Sequence, residues 1–468
     1  MGEGIPPSDE ETMTQSPQEE PNLTEIQRDN GRAPKKSSGL LIGGAVLFVI
    51  LVLIGLFLPP ISLGSRLSGN NDQTAVTTTE ASSTPESAAA ANPSIPGEIT
   101  LTITGDGVVD VAGMSLSDFV AANASAAMPA EAAVQGNVYV LNYEGDAPTG
   151  QVTLNVPAGV TAAETLDLLG WNGSAWQFVP NELDAANQQI MSHADKLPQA
   201  YALVVLPAPA APELSAEILP EQTLPVDLLP LVTQVVLGKL SLANGGTMEG
   251  SAATMPTGAY SQYLAASNTG AIVNAAALAA VLNDSAARTN QINTLVTAVQ
   301  SGGFAGLNLD YQQVAATDSA AFTQFVSDLS DALRQQGLKL ALTLGTPQFS
   351  GSSWNTGGQD WAALGRLADE IYVQMPLDPS TYEDGGLADQ VLAWAVRQID
   401  RQKLHMLVSA NAINRVGESF VELPNDLALS NFGELAFVQG SEAVEPGTAV
   451  EVALSGTCLL YTSPSPRD

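Results

Sequence analysis

Hydrophobic and polar positions divide this chain into stretches of different period. From Gly39 to Leu58 (GLLIGGAVLFVILVLIGLFL) there is no charge and no polar face. At about 1.5 Å per residue such a run covers about 30 Å of hydrocarbon, which predicts a membrane-spanning helix over 39–58 that Pro59-Pro60 stops. Arg28, Arg32, Lys35 and Lys36 precede it and Arg66 stands alone beyond it. That asymmetry places residues 1–38 in the cytoplasm as a solvated tail and everything after Pro59 outside the cell. The competing reading, a cleaved signal peptide, normally has an apolar part of only about 7 to 15 residues. Residues 59–96, rich in Ser, Thr, Ala and Pro, show no apolar period and read as a disordered stalk.

Beyond the stalk the period becomes two. Ile99, Leu101 and Ile103, then Val138, Val140 and Leu141, then Val152, Leu154 and Val156 alternate with polar residues, as half-buried strands do. Asn172-Gly173, between LDLLG and SAWQFVP, offers the positive φ angles of a type I′ hairpin turn. Residues 97–207 therefore predict a β-sandwich. Its Trp171 and Trp176 suit either sugar stacking or a core or cross-strand place, and as nothing in their spacing selects the sugar reading, packing is expected. A Pro/Ala segment, PAPAAPELSAEILPEQTLP, separates this unit from the next.

Over 213–457 the rhythm changes to strand then helix. Ile292, Leu295, Val296 and Val299 share one face of a helix over 285–300 that Gly302-Gly303 ends. A second helix over 318–336 carries Phe322, Phe325, Val326, Leu329 and Leu333 as one stripe, with Thr317 or Asp318 at its N-cap and Gly337 at its end. Strands GFAGLNLDY, LKLALTLGTP, EIYVQMP and KLHMLVSANA alternate with these helices and with two more, at 361–368 and 387–399. Repeated βα units predict a parallel sheet, and their number favours a (β/α)8 barrel. The fold expected is multidomain: one transmembrane helix, a β-sandwich, then a TIM barrel. The stretch 425–456 reads as strands and not as a closing βα unit, so the barrel is incomplete over the residues given.

Composition narrows the chemistry. Sixteen basic residues against 49 acidic ones give a net charge of −33, a field that repels phosphate backbones and excludes nucleic acid as a partner. The single cysteine, Cys458, permits no intrachain disulfide, and His193 and His405 lie too far apart in sequence to start a metal site. No glycine-rich phosphate loop follows any strand, so neither metal nor cofactor is expected.

Chemistry in βα barrels sits at the C-terminal ends of strands. Two ends carry polar groups. In one, the period of two aims Asn308, Asp310 and Gln312 together into the mouth; the other is Gln374-Met375-Pro376-Leu377-Asp378. A buried, hydrogen-bonded aspartate is the competing structural account of the first. Tyr311, Trp354 and Tyr382 are the aromatic candidates for a sugar platform, each equally able to serve as packing.

SGGFAGLNLDYQQV, the helix TDSAAFTQFVSDLSDALRQQG and the strand LKLALTLGTP resemble the central βαβ unit of glycoside hydrolase family 18, nearest its chitinase-like, spore-cortex and peptidoglycan-lytic members. The resemblance spans about 240 residues and is strongest over Gly302–Pro347. The family signature Asp-Gly-x-Asp-x-Asp-x-Glu falls on Ala305 to Gln312, where Gly306 and Asp310 survive, Asn308 replaces the middle Asp and Gln312 replaces the general acid. The family's Met-x-Tyr-Asp falls on Met375 to Asp378, with Leu377 in place of Tyr.

The resemblance implies a site with Asp310 and Gln312 at the catalytic positions and Gly306, Asn308, Tyr311, Gln374, Met375 and Asp378 toward the substrate. It also implies a cell-wall or chitin-like N-acetylated glycan as partner, and hydrolysis in which the sugar's own acetamido oxygen attacks while an acid protonates the leaving oxygen. A glutamine has no proton to give near neutral pH, and general acid catalysis is worth about 10²- to 10⁴-fold. The expectation is a glycan-binding protein with little or no hydrolysis; an active glycosidase using Asp310 or Asp378 is the alternative, and an interaction module without sugar affinity is the third. Residues 458–468, CLLYTSPSPRD, resemble a transposase adapter read through in one frame, an expectation that ends the natural sequence near Thr457.

Overall fold

The structure, a computed structural model, describes residues 92–428 apart from 106–107, 124–125, 209–212, 221–222, 252–257, 271 and 425–426, and the strands Val450–Leu454 and Thr457–Tyr461. No helix among the described residues is long and apolar enough to cross a membrane, and the span expected at 39–58 lies outside them.

Two five-stranded antiparallel sheets build the sandwich. The first runs in the order Ser94–Ile95, Ile99–Thr104, Thr149–Asn155, Gln189–Ala194, Glu182–Asp184. The second runs Val109–Met114, Ala133–Tyr143, Ala200–Val205, Leu166–Trp171, Trp176–Phe178. Between them Leu101, Val152, Leu154, Leu168 and Ile190 exclude solvent, which is what their alternation demands. The outer face of the second sheet is covered by the helix Leu116–Ala122, whose Phe119 joins Trp171 and Trp176 in a separate cluster. The two tryptophans pair across their hairpin and are 2% and 8% exposed, so burial, not sugar stacking, is their role. Their turn is not type I′. Only Gly173 has positive φ (95°), and the loop closes as an Asx turn in which the Asn172 side-chain oxygen accepts from the Ser174 and Ala175 N–H groups.

The second unit is a curled sheet of eight strands, seven of them parallel: β1 (Ser215–Ile218), β2 (Gln234–Leu242), β3 (Ser261–Ser267), β4 (Gly306–Asp310), β5 (Lys339–Leu344), β6 (Glu370–Gln374) and β7 (Leu404–Leu407). The eighth, Met248–Ser251, folds back antiparallel on β2. Spatial order equals chain order, as in a singly wound barrel and unlike an open doubly wound sheet. Helices α1 (Ala275–Leu282), α2 (Ser285–Gly302), α3 (Ser319–Gln335), α4 (Trp361–Leu367) and α5 (Leu387–Gln398) cover the convex side. The predicted stripe of α3 is buried throughout, and Gly303 and Gly337 take the left-handed conformation that ends α2 and α3. Asp318 does stand at the N-cap of α3, but its side chain accepts from Asn283 and not from the helix.

Curling brings distant strands together inside. The Glu370 carboxylate on β6 accepts from Gln234 Nε2 on β2 (2.8 Å), Tyr263 Oη on β3 (3.1 Å) and Tyr372 Oη (3.1 Å), which leaves the Tyr372 oxygen to accept from Ser215 Oγ on β1 (3.2 Å). Burial lifts both phenols above the ordinary tyrosine range, so they remain donors. Among the described residues β7 does not pair with β1. After β7 the chain enters an antiparallel sheet of four strands in the order Ser419–Leu423, Ala412–Val416, Thr457–Tyr461, Val450–Leu454. This includes 458–461 of the adapter-like segment; backbone pairing of that kind is open to any sequence with its N–H groups intact. Residues 462–468 lie outside the described ones.

Sandwich and barrel sheet belong to one compact unit. Two arginines at the end of α5 join them. Arg397, 5% exposed, donates to the carbonyls of Leu166 (2.8 Å) and Ala163 (3.1 Å) and to Asn181 Oδ1 (3.3 Å). Arg401 Nε meets the buried Asp167 carboxylate at 2.9 and 2.8 Å.

Candidate functional site

Alternation along β4 and the residues after it sorts two sets of side chains. Leu307, Leu309 and Tyr311 pack with the helices, whereas Asn308, Asp310 and Gln312 face the inside of the curl. Asn308 accepts from Thr343 Oγ1 on β5 (3.1 Å). Gln312 Nε2 donates both to Asp310 Oδ1 and to the Thr343 carbonyl (3.1 Å). Both partners accept, so the nitrogen must face them while Asp310 is ionised, and neither N–H is left over. Gln312 Oε1 lies over Gly345, where a Cβ would come within 2.6 Å of it.

Side-chain amides hold this backbone once the strand ladder ends. The fully buried Asn268 donates Nδ2 to the Gln312 carbonyl (2.9 Å) and accepts from its N–H (2.8 Å). Gln359 donates to the Tyr311 carbonyl (3.0 Å) and accepts from the Gly345 N–H (3.2 Å). The next residue, Gln313, sits at φ 55°, a left-handed conformation that a non-glycine residue adopts at a cost.

Sequence reasoning missed two charged neighbours. Glu217 lies on the inner face of β1, between Ala216 and Ile218, which pack against the helix-side core. Lys239 reaches the inner face of β2 through a bulge: the β2–β3 register shifts between Leu237 and Leu240, and Gly238 takes φ 80°. Among the described residues neither side chain makes a hydrogen bond or ion pair. Burial pushes the Asp310 carboxyl above the usual range, against the downward pull of the Gln312 hydrogen bond and the Lys239 ammonium. Glu217, open to solvent by area yet set in the concavity, is also raised, by burial first and then by repulsion from Asp310; Lys239 opposes this and Glu422 adds to it. Glu422 itself accepts from Asn411 Nδ2 (3.1 Å).

Lys239→Met should therefore move the titration of Asp310 and of Glu217 further upward, read by carboxyl NMR. The sign for stability follows. A raised folded value favours the fold below the ordinary carboxylate range, and that contribution fades as pH climbs through the raised value, so the variant fades at higher pH. Unchanged midpoints would remove Lys239 from the site.

The remaining predicted residues are dispersed. Gly306 lies at the far end of β4 from Gln312, where a Cβ would meet the Lys339 carbonyl and the Tyr263 ring, each at 2.6 Å; it makes room for packing. Tyr311, 1% exposed, points away from the mouth, stacks on Phe325 and accepts from Gln291 Nε2 (2.8 Å). Gln374 ends β6 and its carbonyl accepts from Thr346 Oγ1 (2.6 Å). Met375 is buried with the helix-side core. Asp378 caps the turn Pro379–Tyr382 through the Ser380 N–H and hydroxyl. Trp354 is half-buried between the rings of Phe349 and Trp394, and Tyr382 remains 43% exposed with its hydroxyl on the Pro376 carbonyl (3.0 Å). The structure thus gathers Asn308, Asp310 and Gln312, adds Glu217 and Lys239, and leaves Gly306, Tyr311 and Met375 to packing.

No family model matches the chain. A Bacillus subtilis protein named as a sporulation-specific glycosylase, YdhD, is 30% identical over 93 residues, which is 20% of this chain and 22% of that protein. The match spans about a fifth of that relative's length. Among solved structures, the chain is similar to the spore cortex-lytic enzyme SleL of Bacillus megaterium QM B1551, at 13% identity and a TM-score of 0.43, covering 78% of this chain and 88% of that one. It is also similar to a class V chitinase of Pseudomonas fluorescens Pf-5, at 18% identity and a TM-score of 0.40, covering 54% and 88%. The Bacillus subtilis relative is of the kind to which the resemblance, strongest over Gly302–Pro347, pointed.

Proposed function

We propose that the mouth of the parallel sheet binds an N-acetylated glycan of the cell-wall or chitin-like kind and cleaves it slowly or not at all. One observation carries the impairment: the group at the acid position is a carboxamide whose two N–H bonds go to Asp310 and the Thr343 carbonyl. It holds no transferable proton, and it has no N–H to spare for a glycosidic oxygen. The names of the similar proteins, a glycosylase, a cortex-lytic enzyme and a chitinase, support a glycan as ligand.

The same reading has residues 39–58 anchoring the protein in the cell membrane with the sandwich and barrel outside. It also has an eighth βα unit closing the barrel between β7 and β1. Exposed apolar side chains at those two edges, Leu214 beside β1 and Met406 and Val408 on and after β7, support closure.

A specific observation favours a second reading. Burial holds the Asp310 carboxyl above its usual range, which suits a proton donor, and Glu217 stands near enough to act on it electrostatically. Co-sedimentation with purified sacculi and with chitin, run beside a reducing-end assay on acetylated chito-oligosaccharides, separates the two. Binding without turnover is expected, weakened in Asp310→Ala. Turnover by the unaltered protein that Asp310→Ala abolishes would establish the enzyme instead.

A further inference from the structure

An asparagine followed by glycine can close a ring on itself, because the glycine nitrogen reaches the side-chain carbonyl with no Cβ in its way. Asn-Gly occurs three times in the chain. One copy, 30–31, lies outside the described residues. Asn172-Gly173 and Asn244-Gly245 are both exposed, each in the loop of an antiparallel hairpin. Exposure admits the water that such chemistry consumes.

The two carboxamides differ in what holds their oxygens. Asn172 Oδ1 accepts from the Ser174 N–H (2.9 Å), the Ser174 hydroxyl (2.8 Å) and the Ala175 N–H (2.9 Å). Asn244 Oδ1 accepts from Asn274 Nδ2 (3.1 Å). Among the described residues the Gly173 and Gly245 N–H groups make no hydrogen bond, and neither asparagine donates its Nδ2 to one. Attacking nitrogen and leaving nitrogen are thus unencumbered in both loops, and the donors on the oxygen are what separates them. Donors aimed at a carbonyl oxygen stabilise the negative charge that develops there when a nucleophile adds, which is how an oxyanion hole works. Asn172 has three and Asn244 has one.

We propose that Asn172 is a self-modification site, where the fold converts a carboxamide into a carboxylate without a second enzyme. The Gly173 nitrogen bonds to Asn172 Cγ and loses its proton to solvent; Nδ2 takes up a proton and leaves as ammonia, so a cyclic imide remains. Water then adds to one imide carbonyl and its C–N bond breaks, with the proton returning to the Gly173 nitrogen. Opening at Cγ gives aspartate, and opening at the backbone carbonyl gives isoaspartate. The second product adds a methylene to the main chain of a loop whose ends are pinned, Trp171 opposite Trp176 and Trp176 Nε1 on the Ala126 carbonyl (3.2 Å). This inference concerns the sandwich and does not rest on the reading of the barrel mouth.

The test is peptide mapping by mass spectrometry of the full chain in detergent, sampled during incubation at mildly alkaline pH, with an isoaspartyl methyltransferase to mark the isoaspartate. Asn172 should convert ahead of Asn244 and yield both products. Ser174 is exposed, so Ser174→Ala should fold as the parent does; losing one donor should slow conversion at Asn172 about threefold to tenfold and leave Asn244 unchanged. In denaturant the two rates should converge. Conversion at Asn244 as fast as at Asn172 in the folded chain, no conversion at Asn172, or a rate that Ser174→Ala does not lower overturns the proposal. A difference that persists in denaturant does so too, since it would belong to the neighbouring sequence and not to the fold.

Discussion

Arg397→Ala is expected to lower the stability of the joined sandwich and barrel sheet by about 3 kcal/mol, because it strips partners from two buried carbonyls and a buried side-chain oxygen at once. Each orphaned acceptor costs about 1–3 kcal/mol. Part of this is offset, since burial and the nearby Arg401 already depress the guanidinium pKa and make it costly to keep charged. Arg397→Lys should recover only a fraction, since one ammonium cannot reproduce the fork that reaches Leu166, Ala163 and Asn181 together. Denaturant midpoints of the three proteins provide the comparison. A loss below about 1 kcal/mol for the alanine variant would mean that water enters and takes the guanidinium's place.

The second large effect is a gain. Gln312→Glu should raise glycan hydrolysis from the slow or absent cleavage proposed for the parent to that of a slow glycosidase. The new carboxyl would stand where the carboxamide now touches Asp310 and the Thr343 carbonyl, both acceptors. Two carboxylates in contact cannot both ionise, so the pair retains one proton above the ordinary carboxylate range, which is the state a general acid requires. That proton is worth about 10²- to 10⁴-fold. By the family resemblance Leu377 stands where a hydroxyl would meet the acetamido group, so the rate is expected to stay well below that of a complete site. Release of reducing ends from chitotetraose by the variant alone supports this account. Equal rates with and without the substitution would show that some other group limits cleavage.

Much of the barrel sheet was legible because its long elements obey one period each. The stripe from Phe322 to Leu333 and the glycines that end α2 and α3 left little choice. By contrast β1 is four residues inside a Pro/Ala-rich segment, too short for a period to register, so Glu217 passed for linker. Strand β2 hides its alternation behind the Gly238 bulge, which also conceals that Lys239 faces inward. Inward aim of Asn308, Asp310 and Gln312 followed from the period of two; the same period sends Tyr311 and Met375 to the opposite side, a consequence the resemblance obscured. Asn172-Gly173 misled differently, because a dipeptide that permits a tight turn does not require one when the Asn172 side chain can bond the next N–H groups itself.

The arginine lock has a mechanical consequence. With Arg397 and Arg401 seated in the sandwich, the end of α5 couples the sandwich to the barrel sheet, so strain in one is carried into the other. The two should then melt together in one cooperative transition, and two separated midpoints would mean that the arginines do not transmit it.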